Sequence, residues 1–319
     1  MSSTHSPAFQ TDLTRRQMLV TTGASALGFG LLGVPALQAA ETKTRKVLFF
    51  SKSAGFEHSV IKHKEGELSH AEKVLKELGP KHGIDFTFSK DGRIFTKDSL
   101  AKFDAFFFYT TGDLTTADGD HQPAMPAEGK TALLDAIHNG KGFIGSHCAS
   151  DTFHTSENKG EKAEAGGRYK NFGDKADPYI KMLGGEFIKH GAQQKSTMRV
   201  VDPNFPGLKS AGAGFEMHEE WYSLKDFPKD LHVILVQQTE GMKGPEYQRP
   251  PYPATWARMH GSGRVFFTSM GHREDVWTNP IFQDILFGGI AWAVRNVDAD
   301  VKPNIDQVTP QASELPPSA

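Results

Sequence analysis

Three short runs of consecutive apolar residues constrain the fold of this chain more than any other feature. They are Lys46–Ser51 (KVLFFS), Phe106–Tyr109 (FFFY) and Gly142–Gly145 (GFIG). Strands that are apolar at successive positions are buried on both faces, which is typical of parallel strands in α/β proteins. Patterns of amphipathic helix at Leu68–Leu78 and Thr131–His138 separate the three runs. This alternation predicts βαβ units, and therefore an α/β fold built on a mostly parallel sheet.

The second half of the chain adds more predicted strands and one long helix. The strands are Met198–Val201, Leu231–Val236, Ala254–Met259 and Val265–Thr268, and the helix is Asn279–Val294. No linker or shift in composition interrupts this region, so we expect a single domain over residues 41–297. The proline-rich segment 298–319 is predicted to be a disordered tail.

The first forty residues predict an export signal. Arg15 and Arg16 precede a mildly apolar, glycine-rich stretch that ends at Ala39 and Ala40. This is the pattern of a twin-arginine signal, and the stretch is too short and too broken by glycine for a good membrane span. We expect cleavage near Ala40 and a periplasmic or secreted protein without membrane contact after cleavage. An uncleaved anchor is the alternative.

Charge and cysteine content exclude several classes of function. Because 36 Lys and Arg are balanced by 38 Asp and Glu, the chain has no basic field to attract nucleic acid or an anionic membrane. The single cysteine excludes a disulfide framework and thiolate-rich metal clusters within the chain. A bound metal would therefore need His and carboxylate ligands. The glycine-rich stretch Gly207–Phe215 lacks the strand-turn-helix context of a phosphate loop, so no nucleotide is expected.

Polar segments follow the predicted strands where ligands of open α/β sheets bind, outside the carboxyl ends of the strands. These segments are Ser51–His58, Thr110–Asp113, Ser146–Thr152, Glu216–Tyr222 and Ser269–Asp275. If they converge, the pocket is rich in histidine and carboxylate. The long polar stretch Thr155–Asp177 follows one of them and is expected to cover the substrate.

His147 is the third residue of a tripeptide that begins with the strand-end glycine Gly145, the setting of a nucleophile elbow that pushes one side chain into a pocket. A histidine there is expected to be a metal ligand or an acid/base group. A shift of the turn by one residue would make Cys148 a nucleophile activated by His147. A buried, inert thiol is the preferred interpretation, because free cysteines are usually packed in the core.

His58, His272 and Glu220 are the candidates to join His147. Neutral imidazoles with one carboxylate suit zinc, manganese or a similar divalent ion, which could polarise a carbonyl or activate water. The alternative is that these side chains hydrogen-bond the substrate directly. Trp221 and Tyr222, next to Glu220, predict an aromatic platform for a sugar, with core packing as the alternative.

Taken together, five segments resemble the ThuA-like (trehalose utilisation) domain, a relative of class I glutamine amidotransferases. They are Phe49–His58, Thr110–Asp113, Gly145–Thr152, Glu219–Tyr222 and Gly263–His272. The resemblance implies a flavodoxin-like sheet with helices on both faces, and a role in bacterial pathways that oxidise disaccharides or glucosides to 3-keto sugars. His147 stands where the amidotransferases carry their catalytic cysteine, so glutamine hydrolysis is not expected.

The first hypothesis is an exported enzyme that acts on a keto-sugar or glycoside by isomerisation, elimination or hydrolysis. His147, Glu220 and His272 would be catalytic, and together with His58 they would hold the metal. The predicted substrate contacts are Lys52, His58, Asp113, Asp151, Trp221 and Tyr222. The alternatives are a carbohydrate-binding protein without catalysis and a cysteine hydrolase that uses Cys148. The partner is a small carbohydrate in the first two cases, and the oligomeric state is open.

Overall fold

The structure is a computed structural model that describes residues 44–155 and 167–318. The predicted twin-arginine signal and residues 156–166 of the stretch Thr155–Asp177 lie outside the described residues. Within these two ranges, no helix has the length and apolar character needed to cross a membrane.

Eleven strands in the described ranges form one large sheet and one small one. The strands are β1 Arg45–Phe50, β2 Ile84–Ser89, β3 Ala105–Phe108, β4 Gly142–Ser146, β5 Glu186–His190, β6 Gln194–Val200, β7 Gly214–Glu219, β8 Tyr222–Lys225, β9 His232–Gln237, β10 Tyr252–His260 and β11 Gly263–Thr268. The large sheet has the order β2-β1-β3-β4-β11-β10-β9-β6-β7, and β5 pairs with β8 in the small sheet.

The half of the large sheet from β2 to β11 is parallel throughout. With β11 as the fifth strand, its order is the 2-1-3-4-5 of flavodoxin-like folds. Val47, Leu48, Phe49 and Phe50 in β1 are all 0% exposed, as expected for a strand covered on both faces. Burying one such side chain contributes roughly 1.5–3 kcal/mol. The α/β fold predicted from the apolar runs is therefore confirmed.

The other half of the large sheet is antiparallel, so the sheet contains more strands than the mostly parallel sheet predicted from the sequence. The hairpin of β10 and β11 starts this extension, and β9, β6 and β7 continue it, each antiparallel to its neighbour. The turn at the end of β7 leads directly into β8. The small sheet is therefore joined to the large one next to Glu220.

Helices cover both faces of the sheet. They are α1 His70–Leu78, α2 Lys97–Leu100, α3 Gly129–His138, α4 Pro178–Leu183, α5 Glu274–Trp277, α6 Pro280–Ala293 and α7 Ile305–Val308. Successive residues of a strand point to opposite faces. In β3, Phe107 packs on Trp277 of α5 with ring centroids 6.5 Å apart, and Phe108 packs on Tyr179 of α4 at 6.1 Å.

Local signals explain where the main helices begin and how closely they pack. Ser69 and Glu72 form a capping box at the start of α1, in which each side chain bonds the other residue's backbone amide. Asn279 caps α6, and Pro280 occupies its first turn. Gly142 lets β4 approach the end of α6, because a Cβ there would lie 2.6 Å from the carbonyl oxygen of Ala293.

The prediction of a disordered tail from residue 298 is wrong for its described part. The Asn304 side chain accepts a hydrogen bond from the amide of Val233 in β9 at 2.7 Å, and Arg249 donates to the carbonyl of Ala312 at 2.8 Å. Ile305 and Ala312 are each 4% exposed. Proline content argues against regular structure, but two buried apolar side chains and these hydrogen bonds hold the segment on the domain without much helix.

Candidate functional site

Four side chains converge at the carboxyl ends of the parallel strands. They are His58, His147, Glu220 and His272, called the tetrad below. One potential ligand atom from each lies within 4.8 Å of all the others. His58 follows β1, His147 follows β4, and His272 follows β11, so their convergence results from the parallel order of these strands. Glu220 enters from the turn between β7 and β8. The structure thus brings together the four residues predicted as metal ligands.

His147 sits on a sharp turn. It is the first residue of a 3-10 helix, His147–Asp151, that directly follows β4, and its φ of 46° lies in the left-handed region. This conformation is unfavourable for a non-glycine residue and is frequent at functional sites. The predicted elbow geometry is therefore present, with the imidazole at its tip.

The tautomer of His147 follows from its partner. Nδ1 lies 3.1 Å from the carbonyl oxygen of Ser269, which can only accept a hydrogen bond, so Nδ1 carries the proton. In the neutral ring, Nε2 then has a free lone pair directed into the tetrad. A backbone carbonyl that orients a histidine in this way is a common second partner of metal-binding imidazoles.

Three potential ligand atoms form a tight triangle. His147 Nε2 lies 3.3 Å from His272 Nδ1, which lies 3.1 Å from Glu220 Oε2. The third side, from His147 Nε2 to Glu220 Oε2, is 3.7 Å. Ligands about 2.0–2.1 Å from a tetrahedral zinc ion are separated by about 3.3 Å. The triangle therefore has nearly the spacing that a first-row divalent ion needs.

His58 completes the tetrad. Its ring is nearly perpendicular to those of His147 and His272, with centroids 5.0 and 5.1 Å away. Nε2 lies 3.4 Å from the Tyr222 hydroxyl, and Nδ1 is buried without a hydrogen-bond partner. Burial, assisted by the neighbouring His147 and His272, holds the pKa of His58 well below its ordinary value. The ring is therefore neutral at pH 7, the form that binds metals.

Glu220 and His272 shift each other's pKa in opposite directions. Burial acts to raise the pKa of Glu220, but His147 and His272 outweigh it and hold this pKa well below its usual range. Burial also acts to lower the pKa of His272, and Glu220 outweighs it in turn, so this pKa is raised. The site therefore contains an ionised carboxylate.

Glu219 is a site residue that the sequence-based prediction missed. Its buried carboxylate accepts hydrogen bonds from three backbone amides, those of Glu220 at 2.8 Å, Gly271 at 2.8 Å and His272 at 3.0 Å. Burial raises its pKa. The bonds join the turn after β7 to the loop after β11, so Glu219 positions two residues of the tetrad. The adjacent acidic pair in the sequence was its only signal.

His190, at the end of β5, was also missed. Its Nδ1 lies 3.4 Å from Glu220 Oε1, on the side of that carboxylate away from His272. Its ring is stacked on Tyr222, with centroids 5.7 Å apart and planes 15° apart, and its side chain is 42% exposed. It lies opposite Tyr222 in the pairing of β5 with β8, which no local sequence pattern indicates.

Three predicted substrate contacts are located elsewhere. Lys52 is 0% exposed and bonds Asp120, so it anchors a loop and is not available to a ligand. Trp221 is also 0% exposed and donates to the carbonyl of Gln194, so its role as a sugar platform is wrong and core packing is correct. Asp113 is exposed and accepts hydrogen bonds from Thr115 in its own turn.

Tyr222 does belong to the site, as a buried ring in contact with His147. Its ring centroid lies 4.1 Å from that of His147, and only 3% of the residue is exposed. It therefore supports the imidazoles and offers no open face to a sugar. The predicted pair of aromatic residues is thus divided between core packing and a buried contact with the tetrad.

Asp151 binds a histidine outside the tetrad. His154 Nε2 lies 2.5 Å from Asp151 and its Nδ1 lies 2.8 Å from Glu186, with Lys225 3.8 Å beyond Glu186. Burial acts to lower the pKa of His154, but the two carboxylates outweigh it and raise this pKa to about 9. Asp151, predicted as a substrate contact, therefore orients the imidazole of His154 in the structure.

Cys148 does not have the environment of a nucleophile. It is 0% exposed, and burial raises the pKa of its thiol well above the ordinary value. A thiolate is needed for attack, and reactive thiols lie in partly exposed, electropositive surroundings. The structure favours the inert, packed thiol over the cysteine hydrolase.

The chain is similar to one known protein family and to solved structures of related proteins. The model of the family described as ThuA, trehalose utilisation, matches residues 46–293. A thua-like protein from Bacteroides uniformis has a solved structure with a TM-score of 0.54 and 19% identity, covering 85% of this chain and 99% of its own. One from Parabacteroides merdae gives a TM-score of 0.50 and 17% identity, covering 81% and 93%. These structures support the fold. None of the curated proteins matches the chain.

Proposed function

This chain belongs to the ThuA (trehalose utilisation) family, and we propose that it is an enzyme that processes a keto-sugar or glycoside with the help of a divalent metal ion. The family supports a role in carbohydrate metabolism. The finer proposal is based on the tetrad of His58, His147, Glu220 and His272, which would hold the ion.

The observation that carries the proposal is the triangle of His147 Nε2, His272 Nδ1 and Glu220 Oε2, with sides of 3.1, 3.3 and 3.7 Å. Two imidazole nitrogens and a carboxylate oxygen at this spacing match the ligand set of zinc and similar ions. His58 adds a neutral ring whose buried Nδ1 lacks a partner. A neutral imidazole nitrogen without a hydrogen-bond partner is free to bind an ion.

The residues around the tetrad prepare it for an ion. The carbonyl of Ser269 fixes the tautomer of His147, and the Tyr222 hydroxyl lies beside His58. Glu219 holds the backbone at Glu220 and His272. Such partners commonly contribute tenfold or more to the affinity of a metal site.

A bound divalent ion would supply Lewis acidity, which polarises a carbonyl oxygen, or would activate a water molecule. The chain itself determines the direction of approach. His58 and His147 are almost fully buried, whereas the side chains of Glu220 and His272 are 12% and 16% exposed. A sugar arriving from solvent therefore meets Glu220 and His272 first. A keto group acidifies the neighbouring C–H bonds, which assists isomerisation and elimination, whereas a water molecule activated by the ion would serve hydrolysis.

Elemental analysis of the protein, purified without chelator or metal-affinity tag, tests the proposal. We expect about one equivalent of zinc, manganese or a similar ion, lost in His147→Ala and His272→Ala and retained in the control His63→Ala, whose side chain is 46% exposed. Consumption of a methyl 3-keto-glucoside should follow the metal content. Wild-type protein that takes up no metal after dialysis against each ion would refute the ligand assignment.

The same assay separates the enzyme from a protein that only binds carbohydrate. A binding protein would retain trehalose in equilibrium dialysis and leave every keto-glucoside unchanged, even when loaded with metal. The His147→Ala variant would then weaken binding without affecting any rate.

We also propose that the enzyme acts in the periplasm, on the basis of the sequence pattern at Arg15 and Arg16. Replacement of both arginines by lysine should leave the full-length protein in the cytoplasmic fraction. Unchanged fractionation of that variant would contradict export by the twin-arginine route.

A further inference from the structure

An exposed aromatic ring borders the tetrad. Among residues 44–155 and 167–318, three large apolar side chains are exposed, and Phe56 is the most exposed at 69%, ahead of Met259 at 40% and Val297 at 39%. Its ring centroid lies 5.1 Å from that of His58, with the planes nearly perpendicular. The most exposed apolar ring of the described chain is thus in direct contact with the tetrad.

The backbone fixes Phe56 in this place. The Thr111 hydroxyl donates to the carbonyl of Phe56 at 3.0 Å, and the amide of Gly55 lies 3.3 Å from the carbonyl of Thr111. These bonds hold the backbone of Gly55 and Phe56 to the segment that follows β3. An exposed aromatic ring beside a polar site is typical of a ligand contact.

His190 provides a polar group beside the tetrad, next to Glu220. Its Nδ1 lies 3.0 Å from the carbonyl of Gly191, which can only accept, so Nδ1 donates this hydrogen bond. Nε2 has no hydrogen-bond partner among the described residues. Stacking on Tyr222 restricts the rotation of the ring. The result is an oriented polar group on a partly exposed side chain.

We propose that Phe56 and His190 form a subsite for one pyranose ring of the substrate, an inference that rests on the proposed function. A pyranose has an apolar face of C–H groups and an edge of hydroxyl groups. The C–H face would pack on Phe56, and one hydroxyl would hydrogen-bond to His190 Nε2. This replaces Trp221 and Tyr222, whose burial removes them from any sugar. The subsite holds the ring while the carbonyl reaches Glu220 and His272.

Calorimetric titration of the metal-loaded full chain with trehalose and with methyl 3-keto-glucoside tests the subsite, with the metal content of every variant measured in parallel. Phe56→Ala and His190→Ala should each raise the Kd for at least one of the two sugars about tenfold, the range of a lost aromatic or hydrogen-bond contact. Phe56→Trp should bind within about threefold of wild type. The matched control Met259→Ala removes an exposed apolar side chain from β10, near the start of β11 and at the opposite edge of the sheet.

The outcomes distinguish this inference from the proposed function. Weaker sugar binding with unchanged metal content supports the subsite. An unchanged Kd in Phe56→Ala overturns it and leaves the metal proposal standing. Metal loss in His190→Ala would overturn the assignment of His190 to the sugar. A wild-type protein that holds metal but binds neither sugar contradicts both the subsite and the proposed substrate class, whereas absence of metal contradicts the proposed function by its own measurement.

Discussion

The carboxylate of Glu219 accepts a hydrogen bond from the backbone amide of His272 at 3.0 Å. The same carboxylate binds the amides of Gly271 and Glu220, both at 2.8 Å. One buried side chain therefore sets the backbone at two residues of the tetrad that come from separate segments of the chain. Glu219 therefore positions Glu220 and His272 through their backbone amides and supplies no ligand atom itself.

Replacing Glu219 by Gln should impair the site more than its small change in size suggests. The new amide group would direct hydrogens at backbone amides that need an acceptor. We expect the metal affinity to fall about 10–100-fold and the free energy of unfolding to fall by about 2 kcal/mol. Competition with a chelator and urea denaturation measure the two effects. Glu216→Gln, on the exposed face of the same strand, is the control. Equal metal affinity in both variants would show that Glu219 does not position the ligands.

The left-handed backbone of His147 predicts a difference between two variants that both remove the imidazole. His147→Gly and His147→Ala should lose the metal to the same extent. Glycine adopts a φ of 46° without strain, so His147→Gly should be more stable than His147→Ala by about 1 kcal/mol. Thermal denaturation of the metal-free proteins measures the difference. A higher Tm for the alanine variant would contradict the strained turn.

Cys148 should be unreactive in the native protein. Because the thiol is fully buried, iodoacetamide should label it only after unfolding, and activity should survive treatment of the folded enzyme. Cys148→Ala should keep activity within about threefold, with a loss of stability of about 1 kcal/mol from the small cavity. Mass spectrometry of the labelled protein, with and without urea, gives the answer. Rapid labelling coupled to inactivation would revive the cysteine hydrolase.

The parallel half of the fold could be predicted because its physical cause is local. Runs such as Phe106–Tyr109 are apolar at every position and short, which is typical of strands buried on both faces. The strand β2, Ile84–Ser89, was missed because it lies at the sheet edge and its residues alternate between buried and more exposed positions. The antiparallel extension was underestimated, since pairing between distant strands leaves little trace in a local pattern.

The tetrad could be predicted for a related reason. Parallel strands place all their carboxyl ends on the same side of the sheet, so the residues that follow these strands lie close together. Burial could not be predicted in the same way. Lys52 and Trp221 also follow strand ends, but their side chains point into the protein and bind Asp120 and the carbonyl of Gln194. His190 reaches the site through the pairing of β5 with β8, which depends on the complete fold.

The pKa of His154 predicts a pH dependence of stability. Burial acts to lower this pKa, but Asp151 and Glu186 raise it from 6.5 to about 9 in the folded protein. The raised pKa means that protonated His154 stabilises the fold fully below about pH 6.5, and that this stabilisation is lost as the pH rises through about 9. Between these values the wild type should lose on the order of 3 kcal/mol more than His154→Gln.

Urea denaturation at several pH values tests this expectation, with His218→Gln, an exposed histidine, as the control. The control should keep the slope of the wild type. Parallel slopes for wild type and His154→Gln would show that the two carboxylates do not hold the proton on His154.

The packed tail predicts that truncation after Lys302 destabilises the domain. The deletion removes Asn304, which pairs with the backbone of Val233, and leaves Arg249 without its bond to Ala312. Two lost partners of buried groups amount to about 2–4 kcal/mol. The measurement is the Tm of the truncated protein. An unchanged Tm would indicate that this segment contributes nothing to stability.

The four residues of the tetrad are drawn from positions 58 to 272, nearly the whole length of the sheet-forming chain. No short segment carries two of the three histidines, so an unfolded or partly synthesised chain offers an ion only one ligand at a time. Under the proposed function, the complete metal site therefore forms only once the domain has folded. The ion would also stabilise the folded domain, because it binds the native arrangement of these ligands and not the unfolded chain.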